Sequence, residues 1–454
     1  MRSRTASDRA RLIPRHHFLD PVRIQHDLDS SAARDPFGDR LHLFFGLLWC
    51  CFTAAPTSLV EIASIPLIVF FLIRTPNIWR TWGTFAVQPL TILFVLWILW
   101  QGLTLFWSPA PRQGLLEVGA NRWVWVAWML WPLMGYRPWL IAALAVGFLC
   151  GNLAQLGHDL GLRFHIPALV WPRLPDRNSG WWDPVVGGSL LVGALGLHLP
   201  AALMGRGRMR AIAAAASLIT LLGIFATGTR GAWLAAAALC AVGVCTAIAR
   251  IRPRRRMLAA IAAALVVSGL AGAAVWRASG DGVKRRVEQA STEIARALKQ
   301  QDYDSDTGAR IRMARLAIDA VREHPVRGLG AGGFRPYMAE QLKSEPSSGR
   351  IHAHAHNAFL HIAATTGLPG LLLAAVIMFM AIRGGLAGLG REGLGTYAAG
   401  PAFALVGLLL VSPFDPVHLN AQTGAFLATL IALCLESRPA PKPLPWGRRP
   451  GPVG

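Results

Sequence analysis

Apolar residues along this chain gather into long runs parted by polar breaks. Twelve runs can be read: 41–54, 59–74, 87–107, 117–134, 138–157, 184–204, 210–226, 231–250, 256–276, 356–382, 395–412 and 419–436. Many approach the roughly 20 residues that a helix needs to cross a bilayer. The pattern predicts an all-α, polytopic membrane fold with about twelve transmembrane helices.

One polar break stands out. Residues 277–355, between the ninth and tenth runs, are too long for a plain connection and are expected to hold helices of their own. DGVKRRVEQASTEIARALKQ (281–300) and TGARIRMARLAIDAVREH (307–324) have helical spacing, the second with Asp306 or Thr307 as cap and Pro325 as stop. The expected organisation is a segment 1–40, transmembrane helices 1–9 over 41–276, a loop domain over 277–355, helices 10–12 over 356–436 and a tail over 437–454. No internal repeat suggests an inverted-repeat transporter.

With 53% hydrophobic and 15% charged residues, the chain is not an ordinary soluble domain. Its net charge of +21 could suit nucleic acid, but the distribution suggests topology instead. GRGRMR (205–210), ARIRPRRR (249–256), IRGGLAGLGR (382–391) and ESRPAPKPLPWGRRP (436–450) all fall in the cytoplasm if twelve helices cross and the basic N-terminus is inside. Both termini are then cytoplasmic and no nucleic-acid partner is implied. Segments 108–116, 158–183, 227–230, 277–355 and 412–420 would share the outer side. The charged first forty residues argue against a cleavable signal peptide. All six cysteines lie in apolar runs, without disulfide or zinc spacing.

Three stretches carry a family resemblance. TGTRGAWLAAA (227–237), GARIRMARLAIDAVREHPVRGLGAGGF (308–334) and HAHNAFLHIAATTGLPGLLL (354–373) resemble the signatures of the O-antigen ligase and polymerase superfamily of membrane glycosyltransferases. His356-Asn357, then Gly367-Leu-Pro-Gly370, is similar to the pattern of the ligases in particular. Ala314 and Thr366 depart from it, standing where the family often has an aromatic and an acidic residue.

Each candidate residue has a plain reading beside the chemical one. Arg230 at a helix break could merely snorkel to the interface, yet a planar fork of five donors suits a diphosphate. At 100° per residue, Arg310 falls with Ala314, Ala317 and Val321 on an apolar face of the loop helix, whereas Arg312, Arg315, Asp319, Arg322 and Glu323 fall on a solvated one. The resemblance also selects Arg310. His356 closes the alternation His352, His354, His356, which could bind a metal, but no nearby Asp or Cys completes a set. It could simply mark a helix entrance with Asn357 as cap. As a general base it would accept a proton from a sugar hydroxyl, and on a helix it would share an inward face with Leu360, Ala363 and Gly367. Arg122, Arg177 and Asn357 are further candidate substrate contacts, and Trp181 and Trp182 could meet sugar or sit in an interfacial belt. GLGAGG (328–333) is read as cap and turn glycines rather than a nucleotide loop, because no strand precedes it.

The resemblance implies transfer of a polysaccharide from an undecaprenyl-diphosphate-linked donor to a lipid A-core hydroxyl, at the periplasmic face of the bacterial inner membrane. Arg230 and Arg310 would hold the phosphates and His356 would take the proton, with inversion and without metal or other cofactor. An O-antigen polymerase or a protein O-oligosaccharyltransferase would use the same chemistry on another acceptor. A twelve-helix transporter is the reading from a different class. It fits less well, since the apolar runs hold few acids, Glu61 foremost, while arginines and histidines concentrate at one surface.

Overall fold

The computed structural model describes residues 20–170, 177–251, 280–343, 351–387, 389, 395–435 and 442–445. Among these residues every regular element is helical. Ahead of the loop domain run α1 (Pro21–Arg34), α2 (Pro36–Phe52), α3 (Thr57–Ile73), α4 (Thr75–Ala86), α5 (Pro89–Thr104), α6 (Pro111–Gly119), α7 (Arg137–Arg163), α8 (Pro184–Met204), α9 (Gly207–Ala226) and α10 (Arg230–Ile248). The loop domain holds α11 (Gly280–Gln300), α12 (Asp306–Glu323) and α13 (Phe334–Gln341), followed by α14 (Ala358–Leu386), α15 (Gly400–Val411) and α16 (Ala421–Leu433).

The chain is a multi-pass membrane protein. Among the described residues six helical stretches are long and apolar enough to cross a bilayer, or seven if α3 and α4 form one span broken by a 98° bend. The expected twelve runs map onto fewer full-length helices for three reasons. Several apolar elements, including α15 and α16, are short. The fourth and fifth runs join in one helical stretch, Pro111–Arg163, through 3-10 turns. The ninth run, 256–276, and most of the basic stretch 249–256 lie outside the described residues.

Helix α8 is the hub, packing against α7, α9, α10, α15 and α16. Its Gly196 makes this possible, because a Cβ there would run into the Ala404 backbone of α15. At one end of the bundle Arg74, only 1% exposed, sits at the bend between α3 and α4. Its guanidinium is held by Asp39 at 3.0 Å, Asp35 at 3.3 Å and the His42 ring at 3.0 Å, and Tyr136 donates to Asp39. Helix α2 leads away from this clasp for 17 residues, about 25 Å at helical rise. Beyond its far end the Ala54 carbonyl accepts from the indoles of Trp181 and Trp182.

That far end gathers the outer-side segments foreseen from the sequence. Ser108 donates to Ala331, the Asn178 amide to Ala226, Thr229 to Pro184, Gln422 to Ala55 and the Ala358 amide to Ser412. The segment 328–333 is a turn after a helix end, as its glycines led one to expect, and it is also the keystone of the packing here. Gly328, Gly330 and Gly332 all take positive φ, where side chains are strained. The turn's amides at Leu329 and Gly330 donate to the Ala364 and Thr365 carbonyls of α14, at 2.8 and 2.9 Å.

Those carbonyls are free because α14 is broken. Gly367, at φ 71° and ψ 177°, interrupts it, and Pro369 has no amide to return to Thr365. Trp100 caps the Thr366 carbonyl at 2.9 Å. Periodicity showed one continuous run here; the break is a tertiary feature, fixed by the loop that docks into it.

Candidate functional site

Arg230 opens α10 from the turn Thr227–Thr229, where Gly228 takes φ +63°. Gly231 lets the 412–420 loop come close, since a Cβ there would lie 2.6 Å from Phe414. The guanidinium does not snorkel. It reaches over the loop domain to Thr307 of α12 at 3.3 Å and Glu293 of α11 at 3.5 Å, and Thr307 in turn donates to Glu293.

Helix α12 starts at Asp306, capped by Ser305, whose hydroxyl accepts from the Gly308 amide at 3.0 Å. The cap is thus one residue before Asp306 and two before Thr307, the expected positions; Pro325 follows the helix end at Glu323 as expected. The buried stripe is Met313, Leu316, Ala317 and Ala320, with Arg312 at its edge. Arg312 therefore leaves the solvated face assigned to it: it is 4% exposed and stacks on the Tyr303 ring at 5.3 Å, because α12 is covered by the 301–305 loop as well as by α14.

Arg310 points into the bundle end. Burial lowers its affinity for a proton, while Asp306 and Asp415 act to hold the charge and Arg177 and Arg230 oppose it. Arg177 arrives through Asn178, whose backbone and side chain are bound by Gln155 of α7 and by Ala226. Asp415, on the 412–420 loop, is 4% exposed and accepts from Ser189 at 3.0 Å; burial raises its pKa, against the pull of Ser189 and Arg310. The sequence reading did not name Asp415; the signal available was an acid in SPFDPVHLN, a short outer loop between apolar runs.

His356 is outside the helix. Its φ is +48°, a left-handed conformation uncommon away from glycine, and α14 begins two residues later at Ala358. The expected face shared with Leu360, Ala363 and Gly367 therefore does not exist. The imidazole is aimed instead by this turn and by the hydrogen bond from Ala358 to Ser412. Asn357 is the cap, its side chain accepting from Leu360 at 3.0 Å. Burial, then the rings of His354 and the charge of Arg310, push the His356 pKa down to about 3, so the ring is neutral near pH 7.

Arg230, Arg310, Arg177 and His356 thus share one end of the bundle and act on one another's charge, with Asp415 among them. Arg122 is placed elsewhere, paired with Glu61 of α3 at 3.2 Å and lying over Trp123. Trp182 is buried, and both Trp181 and Trp182 spend their indole N–H on Ala54, so packing accounts for them. A cluster that the sequence showed only in part surrounds His356. The ring centroids of His354 and His352 lie 4.3 and 5.4 Å from it, His361 lies 6.4 Å from His354, and His418 lies 6.1 Å from His361.

A donor set of two or three guanidiniums beside a neutral imidazole can bind a multiply charged phosphate and remove a proton next to it. Comparison with known proteins bears on the same residues. Residues 215–375 match the family model described as O-antigen ligase, a segment that holds Arg230, Arg310 and His356. Over this segment the chain is similar to the O-antigen ligase family. It is 24% identical over 399 residues to the exopolysaccharide production protein ExoQ of Rhizobium meliloti (strain 1021), covering 79% of this chain and 82% of that one. An uncharacterized protein of Haemophilus influenzae is 23% identical over 158 residues, 34% of this chain and 38% of that one. The O-antigen ligase match and the ExoQ likeness point to a membrane glycosyltransferase of polysaccharide biosynthesis.

Proposed function

We propose that the protein transfers a polysaccharide from undecaprenyl diphosphate to a sugar hydroxyl of lipid A-core at the periplasmic face of the inner membrane, as an O-antigen ligase. The observation that carries this reading is that Arg230, Arg310 and His356, from two helix starts and a strained turn, come to one end of the bundle, where Arg310 acts on the charge of His356 and Arg230 on that of Arg310. The acceptor oxygen attacks the anomeric carbon, the bond from that carbon to the phosphate oxygen breaks, and undecaprenyl diphosphate leaves with its charge on the guanidiniums. His356 takes the hydroxyl proton. Single displacement inverts the anomeric centre, and pre-set cations lower the barrier because they need no reorganisation as charge develops.

Arg177 is a third phosphate contact in this scheme, while Asn357 serves it as the cap that fixes His356. In this reading the Arg74 clasp marks the cytoplasmic end of the bundle, the side to which the basic clusters assign the termini.

A second reading, an O-antigen polymerase joining two lipid-linked glycans, is favoured by the relative that covers 79% of the chain, named for exopolysaccharide production. Purified protein given an undecaprenyl-diphosphate-linked glycan with lipid A-core, with a second lipid-linked glycan, or with an acceptor protein separates the readings. Product on lipid A-core alone supports the ligase. Chain growth without lipid A-core product overturns it in favour of the polymerase, and glycosylated protein overturns it in favour of a protein transferase.

A further inference from the structure

Beside Arg310, and with Arg230 and Arg177 close by, the protonated form of His356 is poorly placed. A base there needs somewhere to send its proton. The surroundings of His356 offer a path that leads away from the arginines. His354 is 4.3 Å from it, ring to ring, and His361 is 6.4 Å further on. His361, 1% exposed on α14, has its Nε2 3.6 Å from the Glu117 carboxylate of α6. The other Glu117 oxygen accepts from the Gly332 amide at 2.8 Å, which fixes the carboxylate against the glycine turn. His418, from the 412–420 loop, and Phe334 border His361 on its remaining sides.

The Nδ1 atoms of His354, His356, His361 and His418 are buried without a hydrogen-bond partner. Buried polar atoms are normally paired, and leaving several unpaired in one place costs stability. A chain of imidazoles with open nitrogens, ending at a carboxylate, has the composition of a proton path, since a neutral imidazole accepts on one nitrogen and donates from the other.

We propose that His354, His361 and Glu117 relay the proton that His356 removes, carrying it from the arginine-rich pocket to a carboxylate. The inference rests on the transferase reading of His356. In balance, one proton leaves the acceptor hydroxyl for His356, and His356 gives up the proton on its other nitrogen to His354. His354 passes one likewise to His361, directly or through a bridging water, and the positive charge comes to rest beside Glu117. Each ring ends neutral in its other tautomer except the last. His352 and His418 flank the path. Glu117 and His361 are positioning residues here, since both act through His356.

The test uses the full chain in nanodiscs, an undecaprenyl-diphosphate-linked oligosaccharide as donor, and lipid A-core or a second donor molecule as acceptor. Glu117→Gln keeps an oxygen for the Gly332 amide and removes the charge. It is expected to lower kcat about tenfold or more with the donor KM unchanged. It should also move the acid limb of the pH–rate profile to lower pH, because imidazolium loses its counter-charge. His361→Gln, a second variant should the first fail to fold, is expected to lower kcat similarly and to raise the solvent deuterium isotope effect. Wild-type kcat in both variants, or a lower kcat with the pH midpoint and the isotope effect unmoved, overturns the relay. His356→Ala separates the two levels: inactive, it leaves the transferase reading standing whatever the relay variants do; fully active, it overturns that reading and the relay with it.

Discussion

The Arg230 guanidinium at the start of α10 lies 3.5 Å from the Glu293 carboxylate of α11, with Thr307 bonded to both. The cation proposed to take the donor's phosphate is thus paired with an acid from the loop domain. A diphosphate has to compete with that carboxylate, so the pairing links donor entry to the position of α11. Glu293→Gln should lower the donor KM by roughly two- to fivefold, the range expected for a partly exposed ion pair, as measured by initial transfer rates over a donor titration.

Arg230→Lys should lower kcat/KM at least about tenfold, because one ammonium cannot reproduce a two-pronged contact with phosphate oxygens. Arg322, on the same loop domain, is the control. It is 75% exposed and pairs only along its own helix with Asp319. Arg322→Ala should leave transfer unchanged and shift stability by no more than about 0.5 kcal/mol, which rate assays and thermal melts on both variants would check.

Gly367 tests the joint between loop and bundle. A Cβ at its φ of +71° would meet the Val326 carbonyl. Gly367→Ala should cost at least about 1–3 kcal/mol of stability and should also reduce transfer, since the same joint carries the chain toward His356. An unchanged melting temperature would contradict the packing described.

The histidines give a pH dependence with a defined sign. Burial, chiefly, lowers His354 to about 4 and His356 and His418 to about 3, from an ordinary value of 6.5. The unfolded chain therefore binds more protons than the folded one below pH 6.5. Stability is fully present above that value and is lost as pH falls toward 4, by up to about 1.4 kcal/mol per pH unit for each ring. Melting curves from pH 8 to pH 4 should fall below pH 6.5, and His418→Asn should flatten the decline.

Much of this arrangement was legible in the sequence, and the limits have physical causes. Apolar runs and basic clusters placed the outer segments together, and the structure brings Ser108, Asn178, Arg230, Thr307 and Ser412 to one end. Helical angle alone misplaced Arg312, because α12 is packed from more than one side, which periodicity does not encode. His356 was misread as helical since nothing local signals a left-handed residue before an Asn cap. Asp415, Glu117 and His418 escaped notice because their relation to the site depends on contacts across more than fifty residues of chain. Arg122 is a weaker phosphate candidate than Arg230 in the sequence, and its pairing with Glu61 places it apart from the other arginines.

The most direct test of the central claim is a cryo-electron-microscopy structure of the protein in nanodiscs with an undecaprenyl-diphosphate-linked oligosaccharide bound. Both phosphates are expected within hydrogen-bonding distance of the Arg230 and Arg310 guanidiniums, with Glu293 displaced from Arg230 and the anomeric carbon facing His356. Phosphates seated beside Arg122, or at the Arg74 end of the bundle, with the Arg230–Glu293 pair intact would contradict it.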